Sequence, residues 1–530
     1  MNTELNATDN ERKNDEKNRR EKLPKLATKP EDASRCHDLS GHPIKEPKKT
    51  KENYRNIFMS DRDRILYCRS FLRLSGKTQV YAPSSGDHQR TRLTHTLEVS
   101  QIARTIAQAL CLNCDLTEAI ALGHDIGHTP FGHAGEQMLH EIMSPKHKDN
   151  PNAPKNTTIY RLSDDEVNKY KTLYGFKHNL QSVRCIVEDF EARNDPNGLD
   201  LTNYTLWGIM HHSSTRYKEG KVYTDNLTPD FYNIYMQVCY KGIDNPAWSF
   251  EAFVVAQADE IAQMHHDLED AIRRKAMTKE KVIKILSKLK PLMEDNDKES
   301  LEELESKNWI PKEYLIAKTS KIIVNTLVTN LIVASRENLL NLIDEYSVEK
   351  IFNKCYKDPE IESAISFDIY RNDETMNGKK IKDFQDEISR AVINTHAVQR
   401  SDSKGKYIIK NLFEAYYTNP QQLPDSALKN LYKILKESDY KIKEKNIVKD
   451  DETEKNSHNE STTENYINEK NSNIFTIESD ELRAIISDAV SDIRKTDDKR
   501  RDILIMRIIC DYIAGMTDSF AISEYEKLYG

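Results

Sequence analysis

The chain has 530 residues and a formal net charge of −8, and 31% of its residues are charged against 37% hydrophobic. That balance predicts a folded core diluted by solvated segments, and the negative charge argues against a protein that wraps nucleic acid over its whole surface. The eight cysteines are scattered and give one CxxC pair, Cys111 with Cys114, so a zinc ribbon is disfavoured and a reducing compartment is favoured.

Two further properties concern localisation. The first residues are polar and contain no apolar run typical of a signal peptide. The most apolar stretch, residues 321–335, is too short to span a bilayer and predicts a buried helix. We therefore expect a cytoplasmic protein.

Composition divides the chain into four parts. Residues 1–53 are dominated by charged and amide side chains and predict a disordered tail. Residues 54–437 carry apolar side chains at helical spacing and predict a large helical domain. Residues 438–473 are polar and of low complexity, as in a linker or insertion. Residues 474–530 return to amphipathic helix, so the predicted fold is all-α, with C-terminal helices packing on the main domain.

The segment HDIGHTPFGHAGE, from His124 to Glu136, is the most unusual in the chain. A helix opening at Asp115 would end near Gly127 and place His124 and Asp125 together at its end. A second helix, over 134–143, would bring His133 and Glu136 onto one face, one turn apart. Imidazole and carboxylate groups at this density favour a divalent metal site.

Two distant residues can complete such a site. His95 shares a helix face with Val99, Ile102 and Ile106, which predicts that its ring points inward. Asp259 falls on the buried stripe of a helix predicted over 250–274, where a carboxylate is costly unless it is paired or metal-bound. His95, His124, Asp125 and Asp259 together predict a shell of two imidazoles and two carboxylates with positions left open, as a catalytic metal site requires.

The order H…HD…D resembles the HD superfamily of metal-dependent phosphohydrolases. The surrounding motifs resemble more specifically the deoxyguanosinetriphosphate triphosphohydrolase family, in that family's order from about residue 54 to 530, outside the 438–473 insertion. These motifs are RTRLTHTLEV, HDIGHTPFGHAGE, GFKHNLQS, ADEIAQMHHDLEDA, IIKNLFEAYYTNPQQLP and DYIAGMTDSFA.

The resemblance implies an HD-domain helical core that removes intact triphosphate from dGTP or another dNTP. It implies that His95, His124, Asp125 and Asp259 hold a divalent ion, which could be Mn, Mg, Co or Fe. It also implies roles for the remaining motif residues. His133 with Glu136 would form the acid–base pair, His128 would lie near the phosphate, and the substrate contacts would come from Lys77, Gln79, Arg92, His178, Gln263 and Asp267. Of these, Asp267 would accept a hydrogen bond from the sugar 3′-hydroxyl.

The family's further implied partners are copies of the chain itself, in a homo-oligomer such as a hexamer, and an effector dNTP or single-stranded DNA. Three positions depart from the family pattern, with Gln263 in place of Tyr, Leu72 in place of Arg and His211 in place of Lys. None belongs to the metal set, so they bear on base preference rather than on the class of reaction.

Two other functions stay open at this stage. One is an HD phosphohydrolase acting on a cyclic, signalling or monophosphate nucleotide, which would use the same metal residues but would not account for the C-terminal motifs. The other is a nucleic-acid-binding or regulatory module with a residual pocket, which a complete ligand set plus His133 disfavours.

Overall fold

The computed structural model describes residues 19–35, 54–78, 90–145, 157–170, 174–187, 198–212, 247–354, 358–370, 377–393, 395–438 and 477–530. Every regular element in these ranges is a helix, and the two isolated β-bridges between Arg35 and Thr202 and between Thr78 and Thr91 extend into no strand. The all-α fold predicted from the sequence is confirmed.

The helices of the N-terminal half surround the HD segment. They are α1 (Ile57–Leu66), α2 (Arg69–Arg73), α3 (Arg92–Ala109), α4 (Cys114–Gly123), α5 (Gly132–Ile142), α6 (Asp164–Lys169), α7 (His178–Val187), α8 (Asn203–His211) and α9 (Phe250–Arg273). The predicted bounds of α9 agree with the structure to one residue. The predicted opening of α4 at Asp115 is wrong, because the side chain of Asn113 accepts hydrogen bonds from the backbone N–H groups of Asp115 and Leu116 and starts the helix earlier.

The remaining α-helices follow from residue 279 to the C-terminal part of the chain. They are α10 (Lys279–Leu286), α11 (Asp295–Ser306), α12 (Lys312–Glu345), α13 (Val348–Phe352), α14 (Pro359–Glu362), α15 (Asn377–Ile393), α16 (His396–Thr418), α17 (Asp425–Glu437), α18 (Ser479–Lys495), α19 (Lys499–Ala514) and α20 (Asp518–Tyr529). Short 3₁₀ turns join several of them.

Helix α12 contains the apolar stretch 321–335 that predicted a buried helix. It is 34 residues long, which is longer than that stretch, and it packs on α9. By length and composition alone it is apolar enough to cross a membrane, a property that core helices of soluble proteins share, and 39% of its most apolar window is buried inside the protein.

Buried apolar side chains form two separate cores. The first lies among α1, α3, α4, α7 to α9 and α12, and includes Val99, Ile120, Leu206, Val255 and Leu327. The second lies among α5 and α16 to α20, and includes Leu139, Ile409, Leu431, Ile486 and Ile509. Since α4 belongs to the first core and α5 to the second, the chain crosses between the cores within the HD segment.

The predicted disordered tail is wrong for residues 19–35. Two 3₁₀ turns, Leu23–Leu26 and Pro30–Asp32, occupy this stretch, and the side chains of Leu23 and Leu26 are buried in the first core. Lys22 Nζ lies 2.9 Å from Asp344 on α12. Apolar contacts of two leucines, in a segment whose composition is otherwise polar, account for the difference. Most of the predicted 438–473 linker, from residue 439 onward, lies outside the described residues.

Candidate metal centre and active site

Three helices carry the predicted metal ligands to one place. His95 lies in the first turn of α3, which begins after Thr91 as a hydrogen-bonding cap. His124 follows the last residue of α4, and Asp125 comes next. Asp259 lies in the middle of α9, which packs against both α3 and α4. All four side chains are buried.

The ligand atoms of these residues point to one another. His95 Nε2 lies 3.0 Å from Asp259 Oδ1 and 3.9 Å from Asp125 Oδ2. His124 Nε2 lies 3.4 Å from Asp125 Oδ1 and 3.9 Å from Asp259 Oδ1. Ligands held about 2.0–2.2 Å from one ion lie about 3–4 Å from each other, so these spacings leave room for a single cation at the centre.

The hydrogen bonds around the centre leave ligand atoms without partners. His124 Nδ1 lies 2.6 Å from the carbonyl oxygen of Ala121, which can only accept, so the proton is on Nδ1 and the lone pair is on Nε2. His95 Nε2, His124 Nε2 and Asp259 Oδ1 are buried and have no hydrogen-bond partner among the described residues. Buried polar atoms of this kind are costly unless something binds them, and the donor set suits a divalent cation.

The charges at the centre are also those of a cation site. Burial would raise the pKa of Asp125, but His128, His124 and Arg92 outweigh it and hold that pKa well below its usual range. Burial opposes ionisation of Asp259 as well, and the neighbouring His95 and His124 lower its pKa. Both carboxyl groups are therefore ionised at neutral pH.

Arg92 belongs to the same cluster. Its guanidinium is 2% exposed, and Nη1 donates to Asp125 Oδ2 at 2.8 Å. The structure thus places Arg92 against a predicted metal ligand, with Nε lacking a partner among the described residues. Nη1 of this side chain orients Asp125, and the buried guanidinium adds a fixed positive charge beside that carboxylate.

His133 and Glu136, predicted to meet on one face, lie on the first turn of α5. His133 Nδ1 is 3.3 Å from Glu136 Oε2, and the His133 side chain is 72% exposed. Glu136 also accepts from the His178 backbone N–H at 3.2 Å and contacts His178 Nδ1 at 3.1 Å and Lys177 Nζ at 3.2 Å. Burial would raise the pKa of Glu136, but His178, His133 and Lys177 hold it well below the usual range.

His128 lies between the metal ligands and His133. Its Nε2 is 3.1 Å from Asp125 Oδ1, and its ring stacks on His178 with 3.9 Å between centroids. Burial, followed by the charge of Arg92, lowers the pKa of His128 well below its usual value. His128 thus contacts Asp125 through Nε2, while its Nδ1 lacks a partner among the described residues.

The predicted substrate-binding residues have different positions. Lys77 is buried, and its ammonium donates to the carbonyl oxygens of His128 and Ala514, at 2.9 Å for Ala514. This fixes the HD segment to α19. Gln79 lies outside the described residues. Gln263 and Asp267 are half-buried on α9, one and two turns beyond Asp259.

Asp267 is an unusual carboxyl group. Burial, with Asp270 and Glu260 nearby, raises its pKa to about 7, while His133 acts in the opposite direction. His133 is therefore close enough to Asp267 to lower the pKa of that carboxyl group.

Several supporting residues were not predicted from the sequence. His212 is buried, with Nε2 3.4 Å from His178 Nε2. Ser182 Oγ accepts from the Gly127 N–H at 2.8 Å and donates to the His124 carbonyl at 2.9 Å. A Cβ at Gly127 would overlap the backbone of Ser182 on α7, so the close approach requires glycine.

Asp518, inside the motif DYIAGMTDSFA, holds the HD segment from the C-terminal side. It is fully buried and accepts from the backbone N–H groups of Phe131 and Thr78 at 3.0 and 3.1 Å. Phe131 has a left-handed backbone, with φ 61°, at the entry to α5. The signal for this role was the motif itself, and its partners could not be inferred from spacing.

Comparison with known proteins gives the class of the chain. Residues 92–155 match the family model of the HD domain, and residues 475–527 match that of the phosphohydrolase-associated domain. The fold and the histidine–aspartate centre are therefore those of an HD-domain hydrolase.

Individual relatives narrow the family. The chain is 30% identical over 484 residues to a deoxyguanosinetriphosphate triphosphohydrolase-like protein of Rickettsia felis, covering 91% of this chain and 94% of that protein. A protein of the same description from Bartonella tribocorum is 32% identical over 376 residues, or 70% and 80% of the two chains. One from Clostridium tetani is 38% identical over 253 residues, or 48% and 56%. The chain belongs to the deoxyguanosinetriphosphate triphosphohydrolase-like family.

Proposed function

We propose that this protein is a metal-dependent dNTP triphosphohydrolase that cleaves dGTP, with other dNTPs as further candidate substrates, to the deoxynucleoside and inorganic triphosphate. The observation that carries the proposal is the convergence of His95 Nε2, His124 Nε2 and Asp259 Oδ1, all buried and without partners among the described residues. Family membership supplies the substrate class, since the relatives carry that name.

The reaction adds water to the α-phosphorus and breaks its bond to the 5′-oxygen. A divalent cation held by His95, His124, Asp125 and Asp259 would offset the negative charge that grows on the α-phosphate oxygens. Arg92, whose Nε has no partner among the described residues, adds fixed positive charge beside Asp125. Arg92 need not reorganise during the reaction, because its side chain is buried and held by Asp125.

The leaving 5′-oxygen needs a proton, and His133 is positioned to provide it. Glu136 accepts from His133 Nδ1, which leaves Nε2 on the exposed side of the ring for the substrate. The buried Glu136 carboxylate stabilises the protonated imidazole before the transfer, and Lys177 and His178 keep that carboxylate ionised. Acid–base help of this kind contributes about two to four orders of magnitude in rate.

Asp267 would accept from the sugar 3′-hydroxyl. Its place on α9, two turns beyond Asp259, would separate the sugar from the metal-binding end of the site. Gln263 lies between them on the same helix and is proposed as a further contact. His128 and His178, stacked on each other between Asp125 and Glu136, would flank the α-phosphate.

Product identification tests the proposal. The purified chain is incubated with each dNTP, alone and in mixtures, with Mg²⁺, Mn²⁺ or Co²⁺, and the phosphorus products are resolved by ³¹P NMR. We expect deoxyguanosine and intact triphosphate from dGTP, and turnover lowered by about three orders of magnitude or more after chelation or in Asp259→Asn. Pyrophosphate or orthophosphate as first product would favour an HD phosphohydrolase acting on another nucleotide instead.

A further inference from the structure

A line of three side chains leads from the metal centre to the edge of the protein. His95 Nδ1, on the side of the ring opposite the centre, lies 3.3 Å from His266 Nδ1. His266 Nε2 in turn contacts Glu98 Oε2. Glu98 is one turn beyond His95 on α3, so the three residues close a small loop between α3 and α9.

The carboxylate fixes the direction of both hydrogen bonds. Glu98 can only accept, so the proton of a neutral His266 lies on Nε2 and its Nδ1 carries the lone pair. That lone pair must accept from His95, whose proton therefore lies on Nδ1. As a result His95 Nε2 presents a lone pair to the centre, where it has no hydrogen-bond partner among the described residues.

The opposite pair of tautomers would prevent His95 from binding a metal ion. If His266 carried its proton on Nδ1, it would donate a hydrogen bond to His95 Nδ1. A neutral His95 would then carry its own proton on Nε2, where a cation needs the lone pair. In that arrangement His266 Nε2 would also present a lone pair to the Glu98 carboxylate. Repulsion between two acceptors in contact disfavours it.

Other side chains hold Glu98 in place. Arg90 Nη1 donates to Glu98 Oε2 at 2.9 Å, and Arg90 Nη2 donates to Glu269 at 2.6 Å. His265 Nε2 lies 3.2 Å from the same Glu98 oxygen. The ring nitrogens and the guanidinium thus all lie close to one carboxylate.

We infer that Glu98 and His266 are positioning residues that set the tautomer and orientation of His95 for metal binding. The inference rests on the proposed function, because it takes His95 to be a ligand. Outer partners of this kind change metal affinity by about 10- to 100-fold when removed.

A second ion bound by Glu98, His265 and His266 is the competing interpretation, since their ligand atoms lie within 4.8 Å of one another. Arg90 argues against it. Its guanidinium lies on the same Glu98 oxygen that the ion would need, and a fixed positive charge at 2.9 Å would repel a divalent cation.

Calorimetric titration with Mn²⁺ tests the inference on the metal-free full-length chain. We expect Glu98→Ala and His266→Phe each to weaken Mn²⁺ binding about 10- to 100-fold, with kcat restored to within about threefold at saturating Mn²⁺. Glu98→Gln, which keeps an acceptor oxygen, should fall between wild type and Glu98→Ala. The double variant with Glu98→Ala and His266→Phe should bind Mn²⁺ no more weakly than His266→Phe alone, because the two residues act in series.

Glu269→Gln is the matched control, because Glu269 also accepts from Arg90 but contacts no histidine of the centre. It should leave the Mn²⁺ affinity unchanged. Wild-type affinity in Glu98→Ala, or additive losses in the double variant, would overturn the inference. So would two ions in wild type and one in Glu98→Ala. Absence of Mn²⁺ binding by wild type would instead contradict the proposed function.

Discussion

Two buried carboxylates, Asp61 and Asp259, show how differently this fold treats the same chemical group. Asp61 is fully buried between α1 and α8, and it accepts from the Thr202 N–H at 2.9 Å, from two threonine hydroxyls at 2.6 and 2.7 Å and from Arg35 at 3.2 Å. Asp259 is also buried, yet its Oδ1 faces two histidine nitrogens and has no hydrogen-bond partner among the described residues.

The difference separates a structural group from a binding group. Around Asp61 every nearby donor is directed at the carboxylate, so the cluster holds residues 19–35 and α8 to α1. Around Asp259 the neighbouring histidine nitrogens Nε2 carry lone pairs in the tautomers inferred above, and we propose that a divalent cation completes this cluster. A buried polar group without a hydrogen-bond partner is thus a better marker of function than a buried polar group whose hydrogen bonds are satisfied.

The largest effect is expected at the unsatisfied carboxylate. Asp259→Asn should lower turnover by about three orders of magnitude or more, because losing the metal's charge stabilisation forfeits several kcal/mol. The metal-free chain should lose less stability than Asp61→Ala does, because asparagine keeps the size of the side chain and one carbonyl oxygen. Steady-state kinetics and urea unfolding measure the two effects. A large loss of stability with normal turnover would make Asp259 a structural group like Asp61.

The next effect concerns His133. Its replacement by alanine should lower kcat by about two to four orders of magnitude, because the 5′-oxygen loses its proton donor. Mn²⁺ affinity, measured by calorimetry, should not change, since His133 is not among the four converging side chains. Turnover equal to that of wild type would remove His133 from the mechanism.

The structural carboxylate should behave in the opposite way. Asp61→Ala should lower the free energy of unfolding by about 3–5 kcal/mol, because Arg35 and three other donors lose a buried partner. Turnover per folded molecule should stay near that of wild type at low temperature. Denaturant titration followed by activity assays on the folded fraction checks this. A folded, stable Asp61→Ala variant without activity would contradict the distinction between the two carboxylates.

The smallest effect is a pH dependence at Asp267. Since the pKa of Asp267 is raised to about 7, the carboxylate that we propose accepts from the sugar forms only as the pH rises through that value. The KM for dGTP should therefore fall by roughly tenfold between pH 6 and pH 8, following one titration. The same raised pKa means that the folded chain holds this proton more tightly, so stability falls as pH rises from about 4 to about 7.

Asp267→Asn supplies the comparison for that profile. It should give a KM that does not change over the same range and should flatten the fall in stability. A profile in the variant that matches wild type would assign the titration to another group.

Much of the fold followed from periodicity and capping. Helix α9 was predicted within one residue, because its apolar stripe and its flanking residues agree. The prediction failed at residues 19–35, where two leucines find a distant core. It also failed at the start of α4, where an amide rather than a carboxylate caps the helix. Both errors depend on contacts that local composition does not encode.

The candidate site, like the fold, could be predicted from the sequence only in part. Residue type and helical spacing were enough to select His95, His124, Asp125 and Asp259, which the structure brings together. Lys77 could not be placed by such reasoning, because its acceptors are backbone carbonyls of distant segments. Likewise Glu98 and His266 are ordinary helix residues until α3 and α9 pack. A homo-oligomer and an effector nucleotide or single-stranded DNA stay predictions.

The most direct test of the central claim is anomalous diffraction at the manganese edge from crystals of the full chain grown with Mn²⁺. We predict one strong peak about 2.0–2.3 Å from His95 Nε2, His124 Nε2 and the carboxylates of Asp125 and Asp259, and its loss in Asp259→Asn. A peak elsewhere, or none with the four side chains still converging, would contradict the account.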